Sequence, residues 1–417
     1  MEAFYIKGGK ALQGVLRVGS AKNACLPILA GALMCDENLN IKDCSYFTDI
    51  EIMIDILKSL GCEVLKEENN LYINSINASK HIIKEEYTKK VRSSIFMLGS
   101  LLTKFKKARV AYPGGCNIGT RPIDLHLKGL RSLGVKITEK HGFIDCDGKH
   151  MKSGFVHLDF PSVGATENIM MACVKLKGTS VIYNAAKEPE IVDLQNFINS
   201  MGGKISGAGT STISITGVDH LHNTTYTPIS DRIVAGTYLI ACAMTKGHII
   251  LTNVEPEHNL ALISKLKQAG CEINLGEKSI EIQAKNRLKS IAVETQPYPG
   301  FPTDLQNQML ALETVSKGTG IIIENLFETR FKIYAELTKM GADITIRDRM
   351  ALVKGVEKLY GAKVTASDLR GGASLVLAGL TADGYTTIED IYHIDRGYKN
   401  IENDLKLLGA EIERINI

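Results

Sequence analysis

The sequence predicts an α/β protein made of six copies of one strand-and-helix unit, three in each of two domains. Three observations carry this reading. A short phrase recurs as LKSLGCEV (57–64), LRSLGVKI (130–137), INSMGGKI (198–205), LKQAGCEI (266–273), LTKMGADI (337–344) and LKLLGAEI (405–412). Its glycines, Gly61, Gly134, Gly202, Gly270, Gly341 and Gly409, follow one another at 73, 68, 68, 71 and 68 residues, a regularity that marks internal duplication. Segments such as ENIMMACVKLKG, RIVAGTYLIACAMTKG and SLVLAGLTADG are apolar on every face, so these helices belong inside a core rather than on a surface. Finally, 417 residues exceed what one core usually holds.

Each recurring phrase reads as the end of a helix, a glycine that takes the left-handed conformation, and a strand that turns back. Upstream, VIYNAAKEPEIVDLQNF, IILTNVEPEHNLALI, GIIIENLFETRFKIYAEL and TTIEDIYHIDRGYKNIENDL read strand, loop, helix. The apolar helices precede those strands, which makes each unit roughly βαβαβ. ISGAGTSTISITGV after Gly202 and EIERINI after Gly409 suggest an extra hairpin strand. The proline in TYTPIS (225–230) breaks the pattern halfway along the chain, and the domain boundary is expected there.

Composition excludes several classes of function. A net charge of +3 spread over the whole chain leaves no footprint for nucleic acid or a membrane surface. The nine cysteines include no CxxC pair, which suggests a reducing compartment with neither disulfides nor a thiolate metal site. The start, MEAFYIKGGKALQG, lacks a signal-peptide core, and no run of about 18 apolar residues occurs. A soluble, cytoplasmic protein is expected, and any anion site must be local.

Helix N-termini are where such a site would form, because their unpaired N–H groups favour anions. The apolar helices are preceded by SAKNACLP (Lys22, Asn23), KKVRSSIF (Arg92), PSVGATEN, PISDRIVAG (Asp231, Arg232), FPTDLQNQ (Asp304) and SDLRGGAS (Asp368, Arg370). The second-helix loops carry Arg121, Arg330 and Arg396, which lie 13, 11 and 13 residues before their unit's glycine. Equivalent positions in repeated units can line one cleft suited to phosphates or carboxylates. AYPGGCNIGTRPIDLH places Cys116 among Gly114, Gly115 and Gly119. That is the composition of a movable lid carrying a reactive group, and a poor home for a buried structural thiol.

Each residue also has a plainer reading. A lone loop arginine is ordinarily solvated, Asp304 by itself could be a helix N-cap, and Lys22 could be surface text ahead of a helix. Ser162 and Thr166 read as caps, and His126 and His393 as structural or peripheral. The register of the repeat, rather than any single residue, favours function.

Taken together, PGGCNIGTRPIDLH, SAKNACLP, PSVGATEN, AAKEPEIVDL, FPTDLQ and IYHIDRGY closely resemble the enolpyruvyl transferases of the UDP-N-acetylglucosamine 1-carboxyvinyltransferase family. The resemblance runs the length of the chain. It implies two inside-out α/β domains of three βαβαββ-type units, with the site in a cleft between them. Residues 21–229 would form the N-terminal domain with the cysteine loop, and residues 1–20 plus 230–417 the C-terminal domain with the aspartate. The implied reaction moves the enolpyruvyl group of phosphoenolpyruvate onto the 3-hydroxyl of UDP-N-acetylglucosamine, opening peptidoglycan synthesis.

By the same resemblance, Cys116 donates a proton, can add covalently to phosphoenolpyruvate, and is the target of the epoxide fosfomycin. Asp304 deprotonates the sugar hydroxyl, while Lys22, Arg121 and Arg396 neutralise phosphoenolpyruvate. Asn23, Arg92, Arg121, Pro122, Ile123, Asp124, Leu125 and Leu326 contact the sugar nucleotide. Arg330 is a further substrate-binding candidate, Arg370 belongs to the phosphate environment, and Asp368 helps to shuttle the proton. No cofactor, metal or obligatory protein partner is implied, since arginines supply the charge clamp. Two rival readings remain: a shikimate-pathway enolpyruvyl transferase, against which the PGGC loop counts, and a non-catalytic paralogue that binds sugar nucleotides.

Overall fold

The computed structural model describes residues 2–113 and 123–417. They fall into two compact units, one of residues 20–113 and 123–229 and the other of residues 2–19 and 230–417. Each has its own apolar core and three small sheets.

The sheets follow one plan. In the second unit, His248–Thr252 pairs in parallel with Gln13–Arg17 and antiparallel with Ser279–Gln283, which in turn pairs with Glu272–Leu275. Thr319–Ile323 repeats this with Ala292–Glu294, Met350–Lys354 and Asp343–Arg347. In the last repeat the chain's own start supplies a strand. Glu2–Lys7 lies between Tyr385–Glu389 and Glu411–Asn416, with Phe4 opposite both Ile388 and Arg414. EIERINI is therefore a strand, but its hairpin partner comes from the other end of the sequence. The first unit uses the same device, because Thr224–Tyr226 pairs in parallel with Asn38–Ile41.

Sheets lie outside and helices inside. All thirteen residues of the Arg232–Met244 helix are buried, and every residue of Lys22–Ala32 except Asn23 is buried. Gln306–Val315 packs against both Arg232–Met244 and Leu369–Thr381, and Met97–Phe105 packs against Val163–Cys173. The latter contact is close enough that a Cβ on Gly99 would sit 2.2 Å from the Asn168 carbonyl oxygen. Helices apolar all round have no face to show to water, so the sheets cover them with one face each.

The six recurring glycines all have positive φ, from 89° to 115°. The N–H that follows each one returns five residues to a helix carbonyl. Cys62 donates to Leu57, Val135 to Leu130, Gly203 to Ile198, Cys271 to Leu266, Ala342 to Leu337 and Ala410 to Leu405, at 2.9–3.2 Å. This is the Schellman closure, six times over. A second device was not read from the sequence. Asn184, Asn253 and Asp390 follow the ends of equivalent strands with φ of 54°, 57° and 56°, a conformation their short polar side chains tolerate. The Asn184 and Asn253 amides donate to the carbonyls of Leu158 and Val18 at 2.8 and 2.7 Å, tying each outer strand to its parallel neighbour.

Two expectations need adjusting. Arg92 opens a 3₁₀ turn, Arg92–Phe96, before the buried helix Met97–Phe105. The last repeat's second helix is broken into Tyr392–Asp395 and Ile401–Leu407, with Asn400 in the left-handed region at the break. The eight described cysteines are all free and buried, and no helix among the described residues is long and apolar enough to cross a membrane.

At Gly409 an added Cβ would meet no atom within 4 Å, and φ is +89°. Gly409→Ala should therefore cost only the left-handed penalty, about 1–2 kcal/mol, read from the urea midpoint. An unchanged midpoint would contradict the closure described for this repeat.

Candidate active site

In the second unit the three buried helices begin near one another. Asp304 lies in the turn Thr303–Leu305, immediately before Gln306–Val315, and Arg370 is the second residue of Leu369–Thr381. Asp231 caps Arg232–Met244, accepting from the N–H groups of Ile233 and Val234, and its charge reaches Arg370. Met244, Val315 and Thr381, at the far ends of the same helices, together line a cavity of about 340 Å³. The helices therefore run side by side in one direction. Their positive ends gather around Asp304, so an anion is favoured there.

Asp304 is not a cap. Its Oδ1 accepts from Arg330 Nη2 at 2.5 Å and its Oδ2 from Arg370 Nη2 at 3.0 Å. The two arginine side chains are 1% and 6% exposed, while the aspartate keeps 28%. The carboxylate is thus the part of the cluster open to a ligand. Burial pushes its pKa up, but the charges of Arg370 and Arg330 and their hydrogen bonds outweigh burial and hold it far below the usual carboxylate range. Arg370, in turn, is held firmly charged: burial works against its proton, and Asp304 more than offsets it.

Behind Arg370 is a buried polar network that sequence reading missed. Arg370 Nη1 donates to the Tyr398 hydroxyl at 3.2 Å. That hydroxyl is 2.8 Å from Thr237 Oγ1, and Gln308 Nε2 donates to both at 3.2 Å. The network links residues of all three buried helices to the IYHIDRGY segment, whose last residue is Tyr398.

Asp368 caps the Leu369–Thr381 helix, its Oδ1 accepting from the N–H groups of Arg370 and Gly371 at 3.0 Å. Arg396 is half-buried. His393 is held below its usual pKa by burial and then by Arg396, against the opposing pull of Asp368 and Asp390. The candidates Asp368 and Arg396 therefore share a neighbourhood with His393. Leu326 is half-buried in the loop between Asn325 and Arg330.

The first unit holds a separate group. Lys22 is the first residue of its helix and is 8% exposed, so it is not surface text. Its Nζ lies 3.3 Å from Asp49 Oδ2. A cation at the positive end of a helix opposes the macrodipole, and Asp49, another residue missed in the sequence, offsets this. Asn23 and Arg92 are half-buried, Ile123 is buried, Asp124 is exposed, and Leu125 packs against the core. Ser162 caps its helix through Ala165 N–H. Thr166 instead accepts from Ala186 N–H at 3.1 Å, pinning the AAKEPE loop. His126 is buried with Nδ1 3.0 Å from Asn168 Nδ2. Cys116, Arg121 and Pro122 lie outside the described residues.

Comparison with known proteins places this arrangement. Residues 6–405 match the family described as EPSP synthase (3-phosphoshikimate 1-carboxyvinyltransferase). UDP-N-acetylglucosamine 1-carboxyvinyltransferase 2 of Caldanaerobacter subterraneus subsp. tengcongensis is 50% identical over 416 residues, covering 100% of both chains. UDP-N-acetylglucosamine 1-carboxyvinyltransferase 1 of Clostridium perfringens is 47% identical over 421 residues, again covering 100% of each.

The chain belongs to the UDP-N-acetylglucosamine 1-carboxyvinyltransferase family.

Like other members of that family it is an enzyme, a transferase. The solved enolpyruvyl transferase NikO from Streptomyces tendae has the same fold, at a TM-score of 0.88 and 21% identity over 99% of this chain and 98% of that one. EPSP synthase from Acinetobacter baumannii aligns at a TM-score of 0.78 and 17% identity over 100% of both chains. These likenesses establish the inside-out α/β architecture of three units per domain.

Tyr398→Phe should destabilise this transferase by about 1–3 kcal/mol, because buried donors lose their shared acceptor. Chemical denaturation reads the change, and a loss below about 0.5 kcal/mol would contradict the network.

Proposed function

We propose that the protein transfers the enolpyruvyl group of phosphoenolpyruvate to the 3-hydroxyl of UDP-N-acetylglucosamine with release of phosphate, the first committed step of peptidoglycan synthesis. The observation that carries the reading is Asp304 clamped by Arg330 and Arg370 where three helix N-termini gather. Relatives at 50% and 47% identity, named for that activity over their full lengths, support the choice of acceptor.

The chemistry assigns the parts. A thiol with an ordinary pKa of about 8.5 is protonated at neutral pH. Cys116 gives its proton to the methylene carbon of phosphoenolpyruvate while the sugar oxygen bonds to the adjacent carbon and Asp304 takes the hydroxyl proton. Loss of a proton from the new methyl group and departure of phosphate then restore the double bond on the sugar. Lys22, Arg121 and Arg396 carry the negative charge of phosphoenolpyruvate. Asn23, Arg92, Ile123, Asp124, Leu125 and Leu326 hold the sugar nucleotide, and Asp368 helps the proton leave.

Asp304's surroundings add a condition. A carboxylate held so far down by two guanidiniums is a feeble base in the free protein. A phosphate anion bound beside the cluster opposes the field of the guanidiniums and raises the aspartate, so the base is armed by the substrate it serves. Arg330, with 1% of its side chain exposed, acts as the fixed half of the clamp. No metal is needed when arginines occupy the charge positions. The reading includes a cytoplasmic location and neither nucleic acid, membrane nor obligatory protein partner. It takes residues 21–229 and residues 1–20 with 230–417 as the functional domains.

The purified protein should release phosphate from phosphoenolpyruvate only when UDP-N-acetylglucosamine is present, and shikimate 3-phosphate should not substitute. Cys116→Ser should lower turnover by about 10²–10⁴-fold, whereas Cys116→Asp, which still offers a proton, should retain activity. Phosphate release with shikimate 3-phosphate alone would transfer the assignment to the shikimate reaction.

A further inference from the structure

The mechanism leaves the fully buried carboxylate of Glu324 without a role. Glu324 closes the apolar strand Thr319–Ile323 and is 0% exposed, a position that is costly for an acid unless donors surround it. Four do. Oε1 accepts from Thr295 Oγ1 at 3.0 Å, Leu326 N–H at 2.8 Å and Phe327 N–H at 3.0 Å. Oε2 accepts from Thr303 Oγ1 at 2.7 Å.

The donors come from three chain segments, and two of those flank the candidate site. Thr303 adjoins Asp304 in the turn Thr303–Leu305. Leu326 and Phe327 lead into Arg330, whose guanidinium carbon lies 5.3 Å from the Phe327 ring centroid. Thr295 supports the same loop twice, because its Oγ1 also accepts from Asn325 N–H at 2.9 Å. The two halves of the Asp304–Arg330 pair are therefore tied to opposite oxygens of one buried carboxylate.

We propose that Glu324 is a positioning residue whose Oε2 sets the orientation of Asp304 and whose Oε1 sets the 325–327 loop. The assignment of the two arms to turnover and to sugar-nucleotide binding rests on the function proposed above. The division predicts separable effects. Removing the hydroxyl of Thr303 disturbs only the arm to the base, while removing that of Thr295 disturbs the arm to the loop.

Steady-state kinetics with phosphoenolpyruvate and UDP-N-acetylglucosamine test this. Thr303→Val should lower kcat at least tenfold and leave the KM for UDP-N-acetylglucosamine within threefold. Thr303→Ser, which keeps the hydroxyl, should restore kcat to within threefold of the original. Thr295→Val should raise that KM at least fivefold with kcat within threefold. If Thr303→Val does not fold, Glu324→Gln replaces it. The amide oxygen can serve the two backbone N–H groups while its NH₂ faces Thr303, so the same kcat-selective loss is expected. Thr303→Val with unaltered kcat, or a serine variant as impaired as the valine, overturns the positioning role. A wild-type protein without transfer activity strikes the functional reading instead. The positioning role is then decided by denaturation midpoints of Thr303→Val, Asp304→Asn and the double variant: non-additive shifts support it and additive shifts overturn it.

Discussion

The second unit depends on one electrostatic arrangement: a partly exposed aspartate held between two buried guanidiniums. Two unpaired guanidiniums in that interior would each cost several kcal/mol of stability. Asp304 makes both tolerable, and they in turn fix its two oxygens. Three helix N-termini add their dipoles on the same side. The fold explains why they meet there. Helices apolar on all faces must be wrapped by sheets, and repeated units wrapped in the same sense place equivalent helix starts together.

The same logic makes the site an unusual place for a base. Two cations around one carboxylate leave the cluster with a net positive charge, so it attracts anions before it attracts protons. In the proposed reaction that order is useful. Phosphoenolpyruvate arrives as the anion, relieves the grip on Asp304, and only then is a sugar proton removable. The first unit shows a related compromise, with Lys22 kept against its helix dipole by Asp49.

Much of the fold was legible because it is repetitive. The six glycines mark where each second helix ends, and uniformly apolar text marks the buried helices. What the sequence did not reveal depends on pairing across long distances. Nothing in EIERINI says that its neighbour is FYIK at the opposite terminus. A lone asparagine after a strand does not advertise a left-handed turn until three equivalents are compared. The site shows the same split. Asp304, Arg330 and Arg370 stood out by type and register, and the structure brings them together. Tyr398, Asp49 and Glu324 did not stand out, because a buried tyrosine or a strand-end glutamate gains meaning only from the groups it meets. Asp304 alone allowed a cap reading that two arginine contacts dismiss.

The proposed chemistry requires Asp304 to stay ionised within its arginine clamp, and a carboxyl ¹³C NMR titration of the free protein measures that directly. Comparison with Asp304→Asn identifies the resonance. A folded-state pKa held below the unfolded value of about 3.9 means the stabilisation is complete above that pH and lost only as pH falls further. The Asp304 signal should therefore remain that of a carboxylate, without a titration step, from pH 8 down to pH 4. A midpoint at or above pH 5 would contradict the clamp and everything built on it.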